Sequence, residues 1–279
     1  MPTTAAGIHW DDRGPATAPP VLLIEGLSGQ MIGWRDAFCD LLVHKGLRVL
    51  RMDNRDAGLS RHESGPYSIN DMATDAIDVL DDAGIERVTL VGQSMGGMIT
   101  QHAALNHPER VAGAVLFYTT PTVRDVNPGA LVPTMVAPTS KAQAIEAFLD
   151  ADKATTSPAY GYDLEWKTEL AGLMFDRNPD RSGIARQQNA VAAMPDLIPR
   201  LGTLKIPVAL IHGRADELIH PRGSVRLMEE LPQAELHLFA GMGHEVAPAL
   251  WPDFAHIIAR TVRRIMQPQP TPDAFPISA

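Results

Sequence analysis

The sequence predicts an α/β protein with a doubly wound, mostly parallel sheet and an inserted helical cap. Two observations support this fold class. Short aliphatic runs alternate with amphipathic stretches, as expected where strands are buried on both faces and helices cross over between them. This alternation stops between Thr122 and Leu201 and then resumes.

The predicted strands and helices follow each other along the chain. The strands are expected at residues 21–24, 47–52, 88–91, 111–117, 208–211 and 236–239. The helices are expected at residues 33–45, 69–83, 95–106, 221–231 and 248–266. Asn70 and Asp71 are candidate N-caps of the second helix, and residues 7–12 are expected to add an antiparallel hairpin at one edge. Such alternation predicts right-handed crossovers between parallel strands.

Residues 122–201 contain no strand pattern and are rich in proline. Short helices are expected between the prolines, at residues 141–152, 162–175 and 182–194. Because an insertion of this length is too long for a simple loop, we predict a helical cap, or lid, over the sheet. The expected organisation is a core at residues 1–121 and 202–266, a cap at 122–201 and a proline-rich tail at 267–279.

The net charge and the residue composition limit the kinds of molecule that the protein is expected to bind. The formal net charge is −9, whereas binding to nucleic acid or to an anionic membrane requires a basic surface, so neither is expected. The single cysteine, Cys39, precludes an intramolecular disulfide and is expected to be a core side chain. No signal peptide, membrane span, metal-ligand cluster or phosphate-binding loop is evident. These observations predict a cytoplasmic protein without metal or cofactor, and they leave the oligomeric state open.

The strongest functional signal is the stretch VTLVGQSMGGM, residues 88–98. An apolar strand pattern runs into Gly92-Gln93-Ser94-Met95-Gly96, and a helical pattern begins at once. This is the G-x-S-x-G nucleophile elbow in the strand–turn–helix context that it requires. Side chains at the glycine positions would collide with the neighbouring strand and helix. The pattern therefore predicts Ser94 as a nucleophile at a helix N-terminus.

A serine nucleophile needs a base, and ten histidines compete for that role. His244 is favoured because it follows Gly241-Met242-Gly243 after a predicted strand, at the edge where open α/β sheets bind ligands. The other histidines considered lie on helices, in loops, in mid-strand or beside the candidate acid: His62, His102, His107, His237, His256, His212 and His220.

Asp216 is the predicted carboxylate that orients the histidine. It follows the strand predicted at residues 208–211, and the order Ser94, Asp216, His244 matches the nucleophile–acid–base order known for this type of elbow. Its rivals are Glu217 and Asp125, each of which also follows a predicted strand.

The oxyanion hole is predicted to use the backbone N–H groups of Met95 and Leu27. Met95 directly follows the nucleophile, and Leu27 lies in the glycine-rich loop after an early strand. Glu25 precedes this loop and allows two interpretations. It could fix the loop through hydrogen bonds, or it could act as a second acid or base with a pKa raised by burial. We favour the structural role, because an ionised carboxylate would oppose a developing oxyanion.

Three segments together resemble the α/β-hydrolase family: Gln93-Ser94-Met95-Gly96-Gly97, the run RMDNRDAGLS at residues 51–60, and Gly241-Met242-Gly243-His244. The likeness covers nearly the whole chain outside the tail. More narrowly, EGLSGQMIGW and DNRDAGLS resemble the branch that holds aclacinomycin methylesterase and related small bacterial carboxylesterases. The resemblance implies a helical cap over the pocket and structural roles for Asp53 and Arg55. One departure is Glu25-Gly26, where many relatives carry His-Gly.

The expected function is hydrolysis of a carboxylic ester of a largely apolar small molecule through an acyl-enzyme. Trp166, Met174, Tyr160 and Tyr162 are the candidate pocket residues of the cap, which also offers Met135, Leu173, Phe175 and Met194. At least half of these eight side chains are expected to form the core of the cap instead. The same triad would also serve a lactonase, a thioesterase, a carbon–carbon bond hydrolase or a cofactor-free perhydrolase. A different class is a non-catalytic ligand-binding protein on the same scaffold.

Overall fold

The computed structural model describes residues 2–131 and 138–267, and it confirms the predicted fold class. The described strands form one sheet in the order β1-β3-β2-β4-β5-β6-β7. They are β1 (Trp10–Arg13), β2 (Pro20–Ile24), β3 (Arg48–Met52), β4 (Val88–Gln93), β5 (Val111–Phe117), β6 (Val208–Gly213) and β7 (Ala234–Phe239). All neighbours pair in parallel except β1, which runs antiparallel to β3 at one edge.

Helices cover both faces of this sheet. They are α1 (Asp36–His44), α2 (Ile69–Asp82), α3 (Met95–Asn106), α4 (Lys141–Asp152), α5 (Leu164–Arg177), α6 (Gly183–Ala192), α7 (Ile198–Leu201), α8 (Arg222–Glu230) and α9 (Trp251–Met266). Two predicted helices begin later than expected, because separate 3₁₀ turns at Met31–Gly33 and Pro248–Leu250 precede α1 and α9. None of the described helices is long and apolar enough to cross a bilayer.

The residues of β2 show how the sheet separates two cores. Val21 and Leu23 pack with α1 and α9 on one face. Leu22 and Ile24 pack with α2, α3 and α8 on the other. Successive side chains of a strand point to opposite faces, so an uninterrupted aliphatic run is what a strand covered on both sides requires.

The N-terminus of α2 corrects one prediction. The N-cap is Ser68 rather than Asn70 or Asp71. The Ser68 hydroxyl accepts a hydrogen bond from the N–H of Asp71 (3.2 Å), and the Asp71 carboxylate accepts one from the N–H of Ser68 (2.8 Å). This reciprocal capping box satisfies two backbone donors, and it fixes the start of the helix at Ile69, where the apolar pattern also places it.

Among the described residues, four helices, α4 to α7, lie between β5 and β6 within the insertion at residues 122–201. At the N-terminus, Thr3 forms an isolated antiparallel bridge with His9, next to β1. Cys39 is buried in α1. The predicted tail beyond Gln267 and the predicted cap residue Met135 lie outside the described residues.

Candidate active site

Ser94 lies at a strained turn between β4 and α3. Its backbone has φ +54° and ψ −119°, a conformation that a non-glycine residue rarely adopts. A Cβ at Gly92 would overlap the carbonyl of Gly96, and a Cβ at Gly96 would overlap the carbonyl of Ile24. The N–H of Ser94 donates to the carbonyl of Phe117 (3.0 Å), which anchors the turn to β5. Both glycines are therefore required by close backbone approach.

Asp216 and His244 follow the two neighbouring strands β6 and β7. The Nδ1 atom of His244 lies 2.7 Å from Oδ2 of Asp216, and the carboxylate is buried. Burial opposes the carboxylate charge, but His244 and the hydrogen bonds of His212 and His244 outweigh it and hold the pKa of Asp216 below its usual range. Because Asp216 is then an acceptor, His244 carries its proton on Nδ1 and leaves Nε2 free.

A second histidine also binds this acid. The Nε2 atom of His212 lies 3.1 Å from Oδ2 of Asp216 and 3.0 Å from the carbonyl of Ile219. Its Nδ1 lies 2.7 Å from the hydroxyl of Ser224. The other carboxylate oxygen of Asp216 accepts from the N–H groups of Leu218 (2.8 Å) and Ile219 (3.0 Å). Asp216 is thus held by four donors and cannot rotate freely.

The helical insertion holds the loop that carries His244. The N–H of His244 donates to the carbonyl of Thr155 (2.8 Å), and the N–H of Gly243 donates to the hydroxyl of Ser157 (3.0 Å). In return, the N–H of Ser157 donates to Oε1 of Glu245 (2.6 Å). A Cβ at Gly243 would overlap the backbone carbonyl of Thr156. Residues 155–157 therefore fix the position of the histidine.

One cavity of about 910 Å³ brings Ser94 and His244 together. Leu27 and Met95 line it as well, and neither of their backbone N–H groups has an acceptor among the described residues. Helices α4, α5 and α6 line the opposite side of the cavity, with Phe148, Trp166, Leu170, Met174, Ile184 and Val191. The site is thus a chamber between the carboxyl edge of the sheet and the insertion.

Glu25 is buried in the wall of this cavity. Its Oε2 accepts hydrogen bonds from Nε2 of Gln93 (2.6 Å) and from the N–H of Gly26 (3.2 Å), whereas its Oε1 has no partner among the described residues. Burial raises the pKa of Glu25 from 4.5 to about 8, although the Gly26 hydrogen bond opposes this. The carboxyl group is therefore mainly neutral at pH 7.

Gln93 extends this network towards the histidine. Its Oε1 accepts a hydrogen bond from the hydroxyl of Tyr118, and the Tyr118 ring packs against the His244 ring with centroids 4.5 Å apart. Glu25, Gln93 and Tyr118 thus form a buried row beside the cavity, which couples the loop after β2 to the side of the histidine ring.

Two ion pairs attach the insertion to the loop after β3. Arg177 at the end of α5 pairs with Asp53, and Arg186 of α6 pairs with Asp56 at 2.8 Å. A further contact reaches the loop after β2, where the N–H of Ser28 donates to Gln187 (2.8 Å). The residues of the two ion pairs do not line the cavity, whereas Ser28 does.

The structure brings some of the predicted pocket residues to the cavity and leaves others away from it. Trp166 and Met174 line it, and neither Tyr160 nor Tyr162 does. Tyr160 packs instead against the core on the α1 and α9 face, and Tyr162 is 36% exposed. Both tyrosines precede α5, the helix that carries Trp166 and Met174.

The sequence prediction gave no role to Tyr118, Ser157 or Arg181, and it included Gln93 only as the variable position of the elbow motif. Gln93 is the last residue of β4 and Tyr118 directly follows β5, so position at the carboxyl end of a strand could have indicated both. No sequence signal marks Ser157 or Arg181, which belong to the insertion and reach the site only through its tertiary packing.

Comparisons with known proteins find hydrolases among the relatives of this chain. The family model described as serine aminopeptidase, S33, matches residues 17–248. A provisionally named carbamate hydrolase, RutD, from Variovorax paradoxus strain S110 is 30% identical over 249 residues, which cover 85% of this chain and 89% of the relative. The 2-hydroxy-6-oxononadienedioate/2-hydroxy-6-oxononatrienedioate hydrolase of Paraburkholderia phymatum is 29% identical, covering 86% of this chain and 85% of that protein.

A solved structure extends the comparison. The enol-lactonase from Burkholderia xenovorans LB400 superposes with a TM-score of 0.77 at 23% identity, covering 92% of this chain and 96% of the other. At that identity, the likeness supports the fold alone.

Proposed function

The chain belongs to the α/β-hydrolases through the family described as serine aminopeptidase, S33, and from that premise we propose that it cleaves a carboxylic ester by way of an acyl-enzyme on Ser94. In this proposal His244 is the general base, Asp216 orients it, and the N–H groups of Leu27 and Met95 bind the oxyanion. Because the chain belongs to this family, it is a serine hydrolase. The proposal therefore concerns which bond it cleaves and which residues carry out the cleavage.

The proposed mechanism follows from the protonation states of the site. Nδ1 of His244 donates to Asp216 (2.7 Å), so Nε2 has a free lone pair that accepts the proton of the Ser94 hydroxyl. The serine oxygen attacks the ester carbonyl, and the oxyanion forms against two backbone donors. His244 then protonates the leaving alcohol. In the second half, His244 activates a water molecule that releases the carboxylic acid and regenerates Ser94.

The observation that carries the proposal is the strained backbone of Ser94 in the same cavity as an Asp-paired histidine. A backbone strain of this kind persists only where the surrounding structure imposes it. The lining of the insertion is largely apolar, which supports a largely apolar substrate. A carbon–carbon bond hydrolase, lactonase, thioesterase or perhydrolase would use the same triad, so the class of substrate needs a direct test.

The test combines active-site labelling with a substrate panel. We expect a fluorophosphonate probe to label the wild-type protein and the Ser64→Ala variant, whose mutated serine is exposed, but not the Ser94→Ala variant. Labelling that persists in Ser94→Ala would overturn the choice of nucleophile.

The panel compares 4-nitrophenyl esters, lactones and thioesters of matched acyl length. We expect the highest kcat/KM for an ester. A lactone or thioester preferred by tenfold or more would reject the ester assignment and leave the serine hydrolase intact. Absence of turnover for every member, together with no labelling, would favour a non-catalytic binding protein on this scaffold.

A further inference from the structure

Two of the three Lys and Arg side chains among the described residues that line the cavity are paired with carboxylates. Arg35 pairs with Asp163 at 2.7 Å. Lys167 lies 2.8 Å from Asp152 and 3.4 Å from Glu245. Glu25 is mainly neutral at pH 7, because burial raises its pKa to about 8. The remaining cation of the lining is Arg181, in the segment between α5 and α6.

Arg181 is half-buried, and its guanidinium has no hydrogen bond or ion pair within residues 2–131 and 138–267. Burial lowers the pKa of this group, and no carboxylate offsets that effect. A guanidinium does not lose its proton in proteins, so the charge persists at a cost in desolvation. A bound anion would offset part of this cost through its attraction to the guanidinium.

The adjacent carboxylate, Asp180, is already engaged elsewhere. It accepts hydrogen bonds from the N–H (2.8 Å) and the hydroxyl (3.1 Å) of Ser182, and it faces His62 at 3.5 Å. Asp180 therefore forms no ion pair with Arg181 among the described residues, and the guanidinium of Arg181 is left without a carboxylate partner.

We propose that Arg181 binds a carboxylate of the substrate, so that the preferred substrate is a monoanion with a free carboxylate remote from the scissile ester. This inference rests on the proposed function. A planar guanidinium matches a carboxylate through two parallel N–H···O bonds. The single unpaired guanidinium can hold one carboxylate, and the carboxylates of Asp152, Asp163, Asp180 and Glu245 in the lining would repel a second negative charge. The substrate class thereby narrows to half-esters of dicarboxylic acids and to lactones that bear a carboxylate.

Paired substrates isolate the contribution of Arg181. Each pair consists of a mono-4-nitrophenyl ester of succinate, glutarate, adipate or pimelate and its neutral methyl diester counterpart. We expect the wild-type protein to favour the anionic member of at least one pair. Arg181→Gln should lower the ratio of kcat/KM values, anionic over neutral, by about 10- to 100-fold, the loss expected for a hydrogen bond to a charged group. The loss should appear chiefly as a higher KM.

Two further variants serve as controls. Arg181→Lys retains the charge without the planar fork and should restore part of the ratio. Arg87→Gln removes the same charge from an exposed position outside the cavity and should leave the ratio unchanged. A ratio in Arg181→Gln equal to that of the wild type would overturn the inference and place the guanidinium in solvent as a snorkelling side chain.

A binding measurement separates this inference from the proposed function. Monomethyl adipate should raise the Tm of the wild-type and Ser94→Ala proteins and have no effect on Arg181→Gln. If no ester is hydrolysed while this shift depends on Arg181, the anion site stands and the ester hydrolase assignment fails. If neutral esters are hydrolysed and neither the shift nor the ratio depends on Arg181, the anion site fails alone.

Discussion

Glu25→Gln tests the buried carboxyl group next to the oxyanion loop. Glutamine is nearly isosteric with glutamic acid and keeps an oxygen for the two donors, the N–H of Gly26 and Nε2 of Gln93. Its amide nitrogen takes the place of Oε1, which has no partner among the described residues. The substitution thus removes the ionisation of the group and retains most of its contacts.

The effect on stability depends on pH, and its sign follows from the raised pKa. Between pH 4.5 and about 8 the unfolded chain releases the Glu25 proton while the folded chain keeps it. The free energy of unfolding of the wild type therefore falls as pH rises through this window and levels off above it. At 1.36 kcal/mol per pKa unit the full loss is about 5 kcal/mol. Glu25→Gln lacks this loss, so its advantage over the wild type should grow from pH 5 to pH 9.

The effect on activity should follow the same ionisation. Above pH 8 the wild type carries a negative charge beside Leu27, and this charge opposes the oxyanion. The kcat of the wild type should therefore decline above pH 8, whereas that of Glu25→Gln should not. At pH 7 the two should agree within about tenfold, or roughly 1.4 kcal/mol of barrier.

Urea denaturation and ester kinetics over pH 5–9 provide the measurements. Glu86→Gln alters an exposed glutamate and should reproduce the wild-type profiles. A stability difference that does not vary with pH would refute the burial of a neutral carboxyl group. A thousandfold lower kcat in a folded Glu25→Gln protein, with one limb of the pH–rate profile lost, would instead make Glu25 a catalytic acid or base.

The remaining predictions concern the proposed triad and the insertion. Ser94→Ala and His244→Ala should each lower kcat on the order of 10⁶-fold with an unchanged circular dichroism spectrum, and Asp216→Ala somewhat less; near-normal turnover in Ser94→Ala would contradict the mechanism. Trp166→Ala should change the relative kcat/KM values among acyl lengths by about 10- to 200-fold, whereas a uniform loss would mean that the ring only supports the insertion. Ser157→Ala removes the acceptor of the histidine loop and should lower kcat by about tenfold for all acyl lengths with little change in KM; a length-dependent loss would instead place Ser157 in substrate selection.

The sequence predicted the sheet because aliphatic runs and helical patterns are local signals, and β2 shows the two-sided burial that they imply. It predicted the elbow because the spacing of Gly92, Ser94 and Gly96 is a local motif, although the contact that demands Gly96 comes from Ile24 on a distant strand. It could not predict the Ser157 contact with Gly243, since 86 residues separate the partners. Likewise Tyr160 and Tyr162 looked suitable for an apolar pocket, but the direction in which the segment before α5 turns is a tertiary property.

The contacts between residues 155–157 and the histidine loop bear on how this protein could be recombined with its relatives. A chimaera that exchanges residues 122–201 for another insertion would also replace the acceptors of the N–H groups of Gly243 and His244. If the crossover points lay at the ends of the insertion, residues 155–157 and the loop that carries His244 would come from different parents, and their hydrogen bonds could be lost. If residues 241–245 are exchanged together with the insertion, both sides of these hydrogen bonds come from the same parent. The insertion that lines the cavity and the loop that positions the histidine are then transferred together.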